Sequence, residues 1–350
     1  MVLSDLNLSE SMERNHVIGL SISTIRNGEI SKAEPYGLLE AGTNRIVKNE
    51  SLFSACSISK FVTSMLVMLL SDQGIVDLDE DINRKLVSWQ MPNHVYTKEK
   101  PVTLRNLLSH QSGIVDPEGS FRELNSKDGI PSMVNVLNGK TSYCKESITI
   151  SYEPGSDFHY SDAGFCVIQL LIEDVTGATF EEIAHELILQ PLGMDSSTLT
   201  LTISEENKNS FSCGHAKNGK VIGGKIPINP YPAAAGLWST PSDLANLVIE
   251  LMNALKGKSK LGLSVSKAKE MITPQGSKGF NGLGVFLDGS RREIEISSLG
   301  WGAGFQCMLV AYPYQESGLI IMTNTDMGVH QMKGLIGEVY HSFAASIRYN

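Results

Sequence analysis

Apolar and polar residues alternate near both ends of the chain, a pattern that predicts β-strands there. Residues 17–25 and a second extended run from Ile30 flank residues 26–29 (RNGE), which is typical of a hairpin closed by a tight Asn-Gly turn. Four further strands are predicted in the last part of the chain, at residues 283–287, 293–298, 306–311 and 319–323. An amphipathic helix over about 329–347 is expected to end the fold.

The middle of the chain carries helical patterns instead. Residues 57–73 are apolar on nearly every side of a helix and stop at Gly74, which predicts a buried central helix. Further helices are predicted at residues 103–108, 161–176, 179–191 and from 240 onward. Each begins at a Ser or Thr that can cap it, and several end at glycine or proline.

Together these patterns predict an α+β fold. One antiparallel sheet, flanked by helices, is assembled from both chain ends around an inserted, mostly helical domain. We assign residues 1–60 and 242–350 to the sheet domain and residues 61–241 to the helical domain. The length of 350 residues is sufficient for a large buried core.

Composition and charge exclude several classes of protein. With 41% hydrophobic and 19% charged residues the chain is typical of a globular protein, and a net charge of −9 without long runs of one sign argues against a nucleic-acid partner. The longest apolar run, residues 65–70, is far short of the roughly 18–20 residues that cross a bilayer, so no membrane span is expected. Residues 1–15 lack the features of a secretory signal. A cytoplasmic location is therefore expected for the chain as numbered, and a periplasmic or secreted one if a signal has been trimmed.

Several motif-like stretches do not complete a known site. Residues 214–220 have the spacing of a phosphate-binding loop, but Val221 stands where a hydroxyl is needed to contact magnesium. His185 and Glu186 begin like a zinc-protease helix, but Leu189 replaces the second histidine. Five widely spaced cysteines form neither a disulfide framework nor a metal motif and are interpreted as mostly buried thiols. We expect no metal and no cofactor.

Ser57 and Lys60 form an S-x-x-K motif at the start of the predicted central helix. Residues three apart share one face of a helix, so the hydroxyl and the amine can meet. A serine becomes nucleophilic when a neighbour takes its proton, and a lysine can do so once its pKa has been lowered by burial or by nearby cations. The helix N-terminus also offers N–H groups where an attacked carbonyl becomes an oxyanion. The motif suits nucleophilic catalysis by Ser57.

The surroundings of Ser57 and several later segments form an ordered series. They are residues 52–60 (LFSACSISK) with 74–79 (GIVDLD), 102–113 (VTLRNLLSHQSG), 154–155 (PG) with 160–162 (YSD), 191–194 (PLGM) and 234–240 (AAGLWST). In this order they resemble the β-lactamase-type serine hydrolases, which include AmpC-like β-lactamases, D-Ala-D-Ala carboxypeptidases and related esterases. The resemblance extends over about residues 17–325 and implies the β-lactamase/transpeptidase-like fold, with an active site at the interface of the sheet domain and the helical domain.

The resemblance also implies a role for Tyr160, as the tyrosine of the family's Y-x-N motif. Such a tyrosine relays protons as base for acylation, acid for the leaving group and base for the deacylating water. The third position of the motif is Asp162 instead of Asn. An aspartate can pair with Lys60 and favours its charged form, which shifts the role of base toward Tyr160. Alternatively, Asp162 caps its own helix.

The family's third motif, K-T-G or H-x-G, is expected at residues 298–300 (SLG). Ser298 would then replace the usual cation and act as a neutral donor. Gly300 would permit close approach of the strand, and the N–H of Trp301 would be the second oxyanion donor beside that of Ser57. Without a cation, binding of a substrate through a carboxylate is weakened.

Two alternatives concern this motif and the histidines. A register at residues 301–303 (WGA) resembles the tryptophan variant of some family esterases. His110 lies in a segment that is a structural turn in the family, so we expect it to be buried and hydrogen-bonded. His159, next to the catalytic tyrosine, is the better candidate for a histidine at the edge of the cleft.

These residues predict a serine hydrolase that acts through an acyl-enzyme on Ser57. Its partner would be a small-molecule or peptide-like ester or amide, and the sequence does not indicate an oligomeric state. A true β-lactamase or D-Ala-D-Ala carboxypeptidase is the alternative within enzymes. The alternative from another class is a catalytically impaired binding protein, because Asp162 and Ser298 depart from the family pattern.

Overall fold

Strands from both ends of the chain form one antiparallel sheet in the computed structural model, which describes residues 6–276 and 278–348. In chain order the strands are β1 (Gly19–Arg26), β2 (Glu29–Gly37), β3 (Phe53–Ser54), β4 (Trp238–Ser239), β5 (Phe286–Asp288), β6 (Glu295–Gly302), β7 (Phe305–Tyr312) and β8 (Ser317–Thr323). β3 pairs with β4, and the other six lie in the order β2-β1-β8-β7-β6-β5. The predicted sheet from both chain ends is confirmed.

Helices dominate the residues between these two groups of strands. In chain order they are α1 (Leu8–Arg14), α2 (Ser59–Asp72), α3 (Leu104–Leu108), α4 (Met133–Leu137), α5 (Asp162–Thr176), α6 (Phe180–Ala184), α7 (Pro232–Ala235), α8 (Pro241–Leu255), α9 (Val265–Met271) and α10 (Leu335–Arg348). The capping signals have their predicted roles: Ser161 and Thr179 cap α5 and α6, and Thr240 caps α8. The α+β class is confirmed, whereas the domain boundary at residues 61–241 stays a prediction.

The first hairpin turns where the sequence predicts. Asn27 and Gly28 both have positive φ angles, 53° and 74°, as a two-residue turn that matches the twist of the strands requires. β1 then pairs with β2 from Arg26 opposite Glu29 to Gly19 opposite Gly37.

The sheet is covered on both faces, which is clearest at the central strand β8. Its side chains alternate between two hydrophobic clusters. Ile320 and Met322 join the large core that includes α2, α5 and α8, whereas Leu319 and Ile321 join a smaller core with α1 and α10. The fold therefore has three layers, and the large core continues from the sheet into the helical region.

Strand β5 is shorter than the strand predicted at residues 283–287 and begins three residues later, at Phe286. Residues 281–285 lie outside the sheet and contact the helical region instead. The Asn281 side chain donates to the Ser109 carbonyl oxygen, and the Gly284 N–H donates to the Leu108 carbonyl oxygen at 2.9 Å. This segment closes one side of the cleft described below.

Other boundaries differ because pairing and packing extend or shorten the local pattern. β6 continues past Ser298 because it pairs with β7 as far as Gly302 opposite Phe305. The last helix, predicted from about residue 329, begins at Leu335 after a short 3-10 turn. Helix α1 was not predicted; it is held by packing against α10. Residues 1–5 and 349–350 of the predicted sheet domain lie outside the described residues.

The helices were also compared with the length of a membrane span. Within the described residues, no single helix is long and apolar enough to cross a bilayer; Asp162–Thr176 and Phe180–Leu189 pass the same test only as a pair, with a bend of 84° between them.

Candidate active site

Ser57 lies in a single 3-10 turn, Cys56–Ile58, that leads directly into the buried helix α2. The Ser59 side chain holds this turn: its hydroxyl donates to the Cys56 carbonyl oxygen at 2.6 Å and accepts from the Leu237 N–H at 3.0 Å. The predicted nucleophile thus stands at a helix N-terminus, where backbone N–H groups have no partner within the helix. The 3-10 turn is a local difference from the predicted helix start.

The Lys60 side chain is buried, with the residue 2% exposed, and lies directly beside Ser57. Its Nζ donates to the Ser57 Oγ at 3.2 Å, the Asp162 Oδ1 at 2.6 Å and the Ala234 carbonyl oxygen at 2.8 Å. An ammonium group has three N–H donors and no acceptor, so these three contacts match a protonated lysine.

The electrostatics agree with this protonation state. Burial lowers the pKa of Lys60, but the charge of Asp162 and its hydrogen bond to Lys60 outweigh burial and hold the pKa above its ordinary value. The expectation that Asp162 pairs with Lys60 and favours its charged form agrees with this geometry. Lys60 therefore cannot accept the Ser57 proton in the resting state.

Tyr160 completes the group around Ser57. The Lys60 Nζ lies 4.8 Å from the centre of the Tyr160 ring, and the residue is 42% exposed. Burial raises the pKa of the Tyr160 phenol, although the nearby charge of Lys60 opposes this shift. The net direction is upward, so the resting phenol is protonated at neutral pH.

The N-terminus of α5, which carries Asp162, is held by a carboxylate that the sequence reasoning did not identify. Asp116 accepts from the Ser161 hydroxyl at 2.6 Å, the Asp162 N–H at 2.6 Å and the Ala163 N–H at 3.2 Å. Burial, with a contribution from the Asp162 charge, raises the pKa of Asp116 to about 6 despite these bonds. Since Ser161 and Asp116 satisfy this helix end, the alternative that Asp162 caps its own helix is wrong.

The His110 ring packs against the Tyr160 ring. His110 accepts from the Ser161 N–H at Nδ1 (3.2 Å), and its ring stacks on that of Tyr160 at 4.3 Å. Burial, together with the Lys60 charge, lowers the pKa of His110 well below its ordinary value, so the ring is neutral. The expected buried, hydrogen-bonded histidine is therefore found, immediately beside the site.

Strand β6 brings the predicted third motif to the nucleophile. Ser298 and Leu299 line the same cavity as Ser57. At Gly300 an added Cβ would lie 2.4 Å from the Ala55 carbonyl oxygen, so only glycine lets the strand approach the turn that carries the nucleophile. Ser298 makes no side-chain hydrogen bond within the described residues, which leaves its hydroxyl free for a ligand.

The Trp301 side chain points elsewhere. It is 45% exposed, and its Nε1 donates to the Asp326 Oδ1 at 3.0 Å. The placement of Ser298 in the cavity favours the first register over the one that begins at Trp301. The role of the Trp301 N–H as an oxyanion donor stays a prediction.

These residues surround a narrow cavity with a free volume of about 20 Å³. Ten residues line it: Ser57, Lys60, His110, Tyr160, Asn281, Gly284, Val285, Phe286, Ser298 and Leu299. Lys60 is the one cation among them, and Asp162 neutralises it. The sequence reasoning missed the segment from Asn281 to Phe286, which reads locally as part of a strand and reaches the site only through its long-range contacts.

Other candidate residues lie outside this cavity. His159 is exposed at the surface, 4.0 Å from an Asp157 oxygen, and is not among the lining residues. All five cysteines are buried thiols, as predicted: Cys56, Cys144, Cys166, Cys213 and Cys307. No cluster of three or more potential metal ligands occurs in the described parts of the chain.

Known structures share this architecture. A penicillin-binding protein homologue from Pyrococcus abyssi, described as octameric, superposes with a TM-score of 0.77 at 21% identity over 97% of this chain and 77% of its own. A β-lactamase/D-alanine carboxypeptidase from Yersinia pestis superposes with a TM-score of 0.75 at 18% identity over 99% and 97% of the two chains. Both establish the fold.

The sequence also has curated relatives. Protein flp of Staphylococcus aureus (strain MW2) is 21% identical over 334 residues, and the match covers 91% of this chain but 62% of that relative. The family model described as Beta-lactamase matches residues 5–336. This match covers nearly the whole chain, so the chain belongs to the Beta-lactamase family, whose members are generally serine hydrolases.

Proposed function

We propose that this protein hydrolyses an uncharged ester or amide through an acyl-enzyme on Ser57. The observation that carries the proposal is the contact of the Lys60 Nζ with the Ser57 Oγ at 3.2 Å inside a cavity that Tyr160 also lines. A candidate nucleophile and two proton-handling groups therefore line one cavity.

In the acylation step the Ser57 Oγ attacks the substrate carbonyl carbon. The oxyanion that forms accepts from the Ser57 N–H at the helix N-terminus and, we infer, from the Trp301 N–H on the edge of β6. The tetrahedral intermediate then collapses, and the leaving group takes a proton. Lys60 and Tyr160 are the acids nearest to Ser57.

Two routes can remove the Ser57 proton, since both Lys60 and Tyr160 are protonated at rest. In one, Lys60 first passes its proton to Asp162, 2.6 Å away, and the neutral amine becomes the base. In the other, Tyr160 first releases its proton to solvent, and the resulting phenolate, which the Lys60 ammonium stabilises, accepts the Ser57 proton. In both, the same group activates the water that hydrolyses the acyl-enzyme.

The substrate class follows from the charge of the cavity. Lys60 is paired with Asp162, and Ser298 supplies a hydroxyl where relatives are expected to supply a cation. A substrate carboxylate would find no free positive group among the lining residues. This favours neutral esters over penicillins and D-Ala-D-Ala peptides, the substrates of the enzymatic alternative.

The test is acylation and turnover with p-nitrophenyl acetate. Mass spectrometry of the quenched reaction should show an acetyl group on the peptide that contains Ser57, and Ser57→Ala should abolish both adduct and turnover while the fold is retained. Neighbouring Ser54→Ala is the control, because Ser54 lies outside the cavity. An intact protein without an adduct would favour the impaired binding protein instead.

A further inference from the structure

Aromatic rings lead from Tyr160 along one side of the cleft to the surface. Behind Tyr160, the His110 ring meets Phe158 edge-on at 5.8 Å. Phe158 in turn contacts Phe280 at 5.2 Å and Phe286 at 6.3 Å. We call Phe158, Phe280 and Phe286 the aromatic wall.

The aromatic wall is part of the cleft, because one of its three rings, Phe286, also lines the cavity. Phe286 lines the cavity together with Ser57 and Val285. Phe280 is 45% exposed, although it packs on Phe158. A connected group of partly exposed rings beside a nucleophile differs from the single exposed apolar residues found on most surfaces.

The charges near the aromatic wall are paired with one another. The Lys278 Nζ lies 2.9 Å from the Asp157 Oδ1 at the base of the wall, and the Lys60 Nζ lies 2.6 Å from Asp162 inside the cavity. Ser298 contributes no charge. A charged group of a ligand would therefore have to compete with an existing ion pair, whereas an uncharged ring can bury apolar surface without breaking one.

We propose that the aromatic wall is a subsite for an uncharged aryl group of the substrate, close to the scissile bond. This rests on the proposed ester or amide hydrolysis and adds the substrate class to it. Ring-on-ring packing against Phe280 and Phe286 supplies the preference for aryl over small alkyl groups.

The kinetic test compares phenyl acetate and methyl phenylacetate with methyl acetate, so that the ring lies on the leaving-group or the acyl side. Phe280→Ala should lower kcat/KM for at least one aryl ester by about tenfold, as expected for the loss of one aromatic contact, and leave methyl acetate nearly unchanged. The matched control is Tyr314→Ala, another aromatic residue that is 43% exposed and lies outside the cavity. Equal effects of Phe280→Ala on all three esters would overturn the proposal.

A binding experiment separates this inference from the proposed hydrolysis. Calorimetry on Ser57→Ala protein, which needs no turnover, should show that acetanilide binds more tightly than acetamide, and Ser57→Ala/Phe280→Ala should remove the difference. Tighter acetanilide binding in a protein that hydrolyses no ester would leave the subsite standing and refute the hydrolase. Equal binding of the two amides would overturn the subsite.

Discussion

The pair formed by Lys60 and Asp162 is the feature that most affects the chemistry. A buried lysine by itself would have a lowered pKa and act readily as a base. The Asp162 Oδ1, 2.6 Å from the Lys60 Nζ, raises the pKa of Lys60 instead, so the lysine is protonated in the resting site. Relatives with the Y-x-N motif are expected to lack this carboxylate.

Asp162→Asn should therefore move the pH profile. Without the carboxylate, burial dominates and the pKa of Lys60 falls, so the neutral amine is reached at lower pH. We expect the acid limb of kcat/KM for p-nitrophenyl acetate to shift to lower pH, and Asp162→Glu, which keeps the charge, to shift it less. An unmoved limb would show that ionisation of Lys60 does not control the rate.

Tyr160→Phe keeps the ring that stacks on His110 and removes only the hydroxyl. Stability should thus be nearly unchanged, while kcat falls by about 10²–10⁴-fold, the range for a positioned acid–base group. Thermal unfolding and steady-state kinetics on one preparation measure both. Full activity would make Tyr160 a structural residue and leave Lys60 as the base.

Asp116 predicts a pH dependence of stability. Its pKa in the folded protein, about 6, is above the value of about 3.9 expected for an unfolded chain, so the folded state binds more protons between these values. Asp116 therefore makes a contribution to stability that is full below about pH 4 and is lost as the pH rises to about 6.

Denaturant unfolding of wild type and Asp116→Asn from pH 4 to 7 measures this contribution. The difference in free energy of unfolding should change across the window, in the sense that wild type loses stability relative to the variant as the pH rises. The exposed Asp128→Asn is the control. A pH-independent difference would mean that Asp116 is not the group that titrates.

One edge of strand β6 is paired over only part of its length, and its unpaired part borders the candidate active site. β5 covers it from Glu295 to Ser297, and beyond that point its edge is open toward Ser57. An open strand edge can accept an extended ligand through backbone hydrogen bonds. We therefore expect the side chain at Ser298, the first residue past β5, to influence which end group of a substrate is recognised.

Ser298→His, with Ser298→Lys as a second variant, should raise kcat/KM for substrates that bear a free carboxylate. A charge-assisted hydrogen bond of roughly 1.5–3 kcal/mol corresponds to about a 10–100-fold gain. Nitrocefin and a D-Ala-D-Ala peptide measure the gain, and p-nitrophenyl acetate, which lacks a carboxylate, should not benefit. Rapid turnover of penicillin by the wild type would contradict this, because another cation would then reach the site.

The whole molecule is stabilised by two cores on opposite faces of one sheet. The smaller core, between the sheet and helices α1 and α10, lies on the face away from the nucleophile. Stability and catalysis should therefore be separable by substitutions there.

Ile321→Ala tests this separation. Ile321 is fully buried in the smaller core, so truncation should lower the free energy of unfolding by about 2–5 kcal/mol. kcat/KM should stay within about twofold of wild type at a temperature where both are folded, since the side chain does not line the cavity. The exposed Ile46→Ala should change stability by less than about 0.5 kcal/mol. A large loss of activity in folded Ile321→Ala would show that the two faces are coupled.

Elements with local signals could be predicted from the order of amino acids alone. The Asn-Gly turn, the caps at Ser161 and Thr179 and the three-residue spacing of Ser57 and Lys60 depend on neighbours within one turn or one hairpin. These features, with the resemblance to a known family, were enough to place the sheet, the central helix and the three residues proposed for catalysis.

The charge and the enclosure of that site depend on contacts between segments that are distant in the sequence. Asp116 reaches α5 across 45 residues, and Lys60 meets the Ala234 carbonyl across 174. Asn281, just before the strand predicted at residues 283–287, bonds to Ser109, and this segment forms a wall of the cleft. Such contacts leave no periodic pattern in the sequence, because they join segments whose distance is set by packing of the whole core rather than by the geometry of one element.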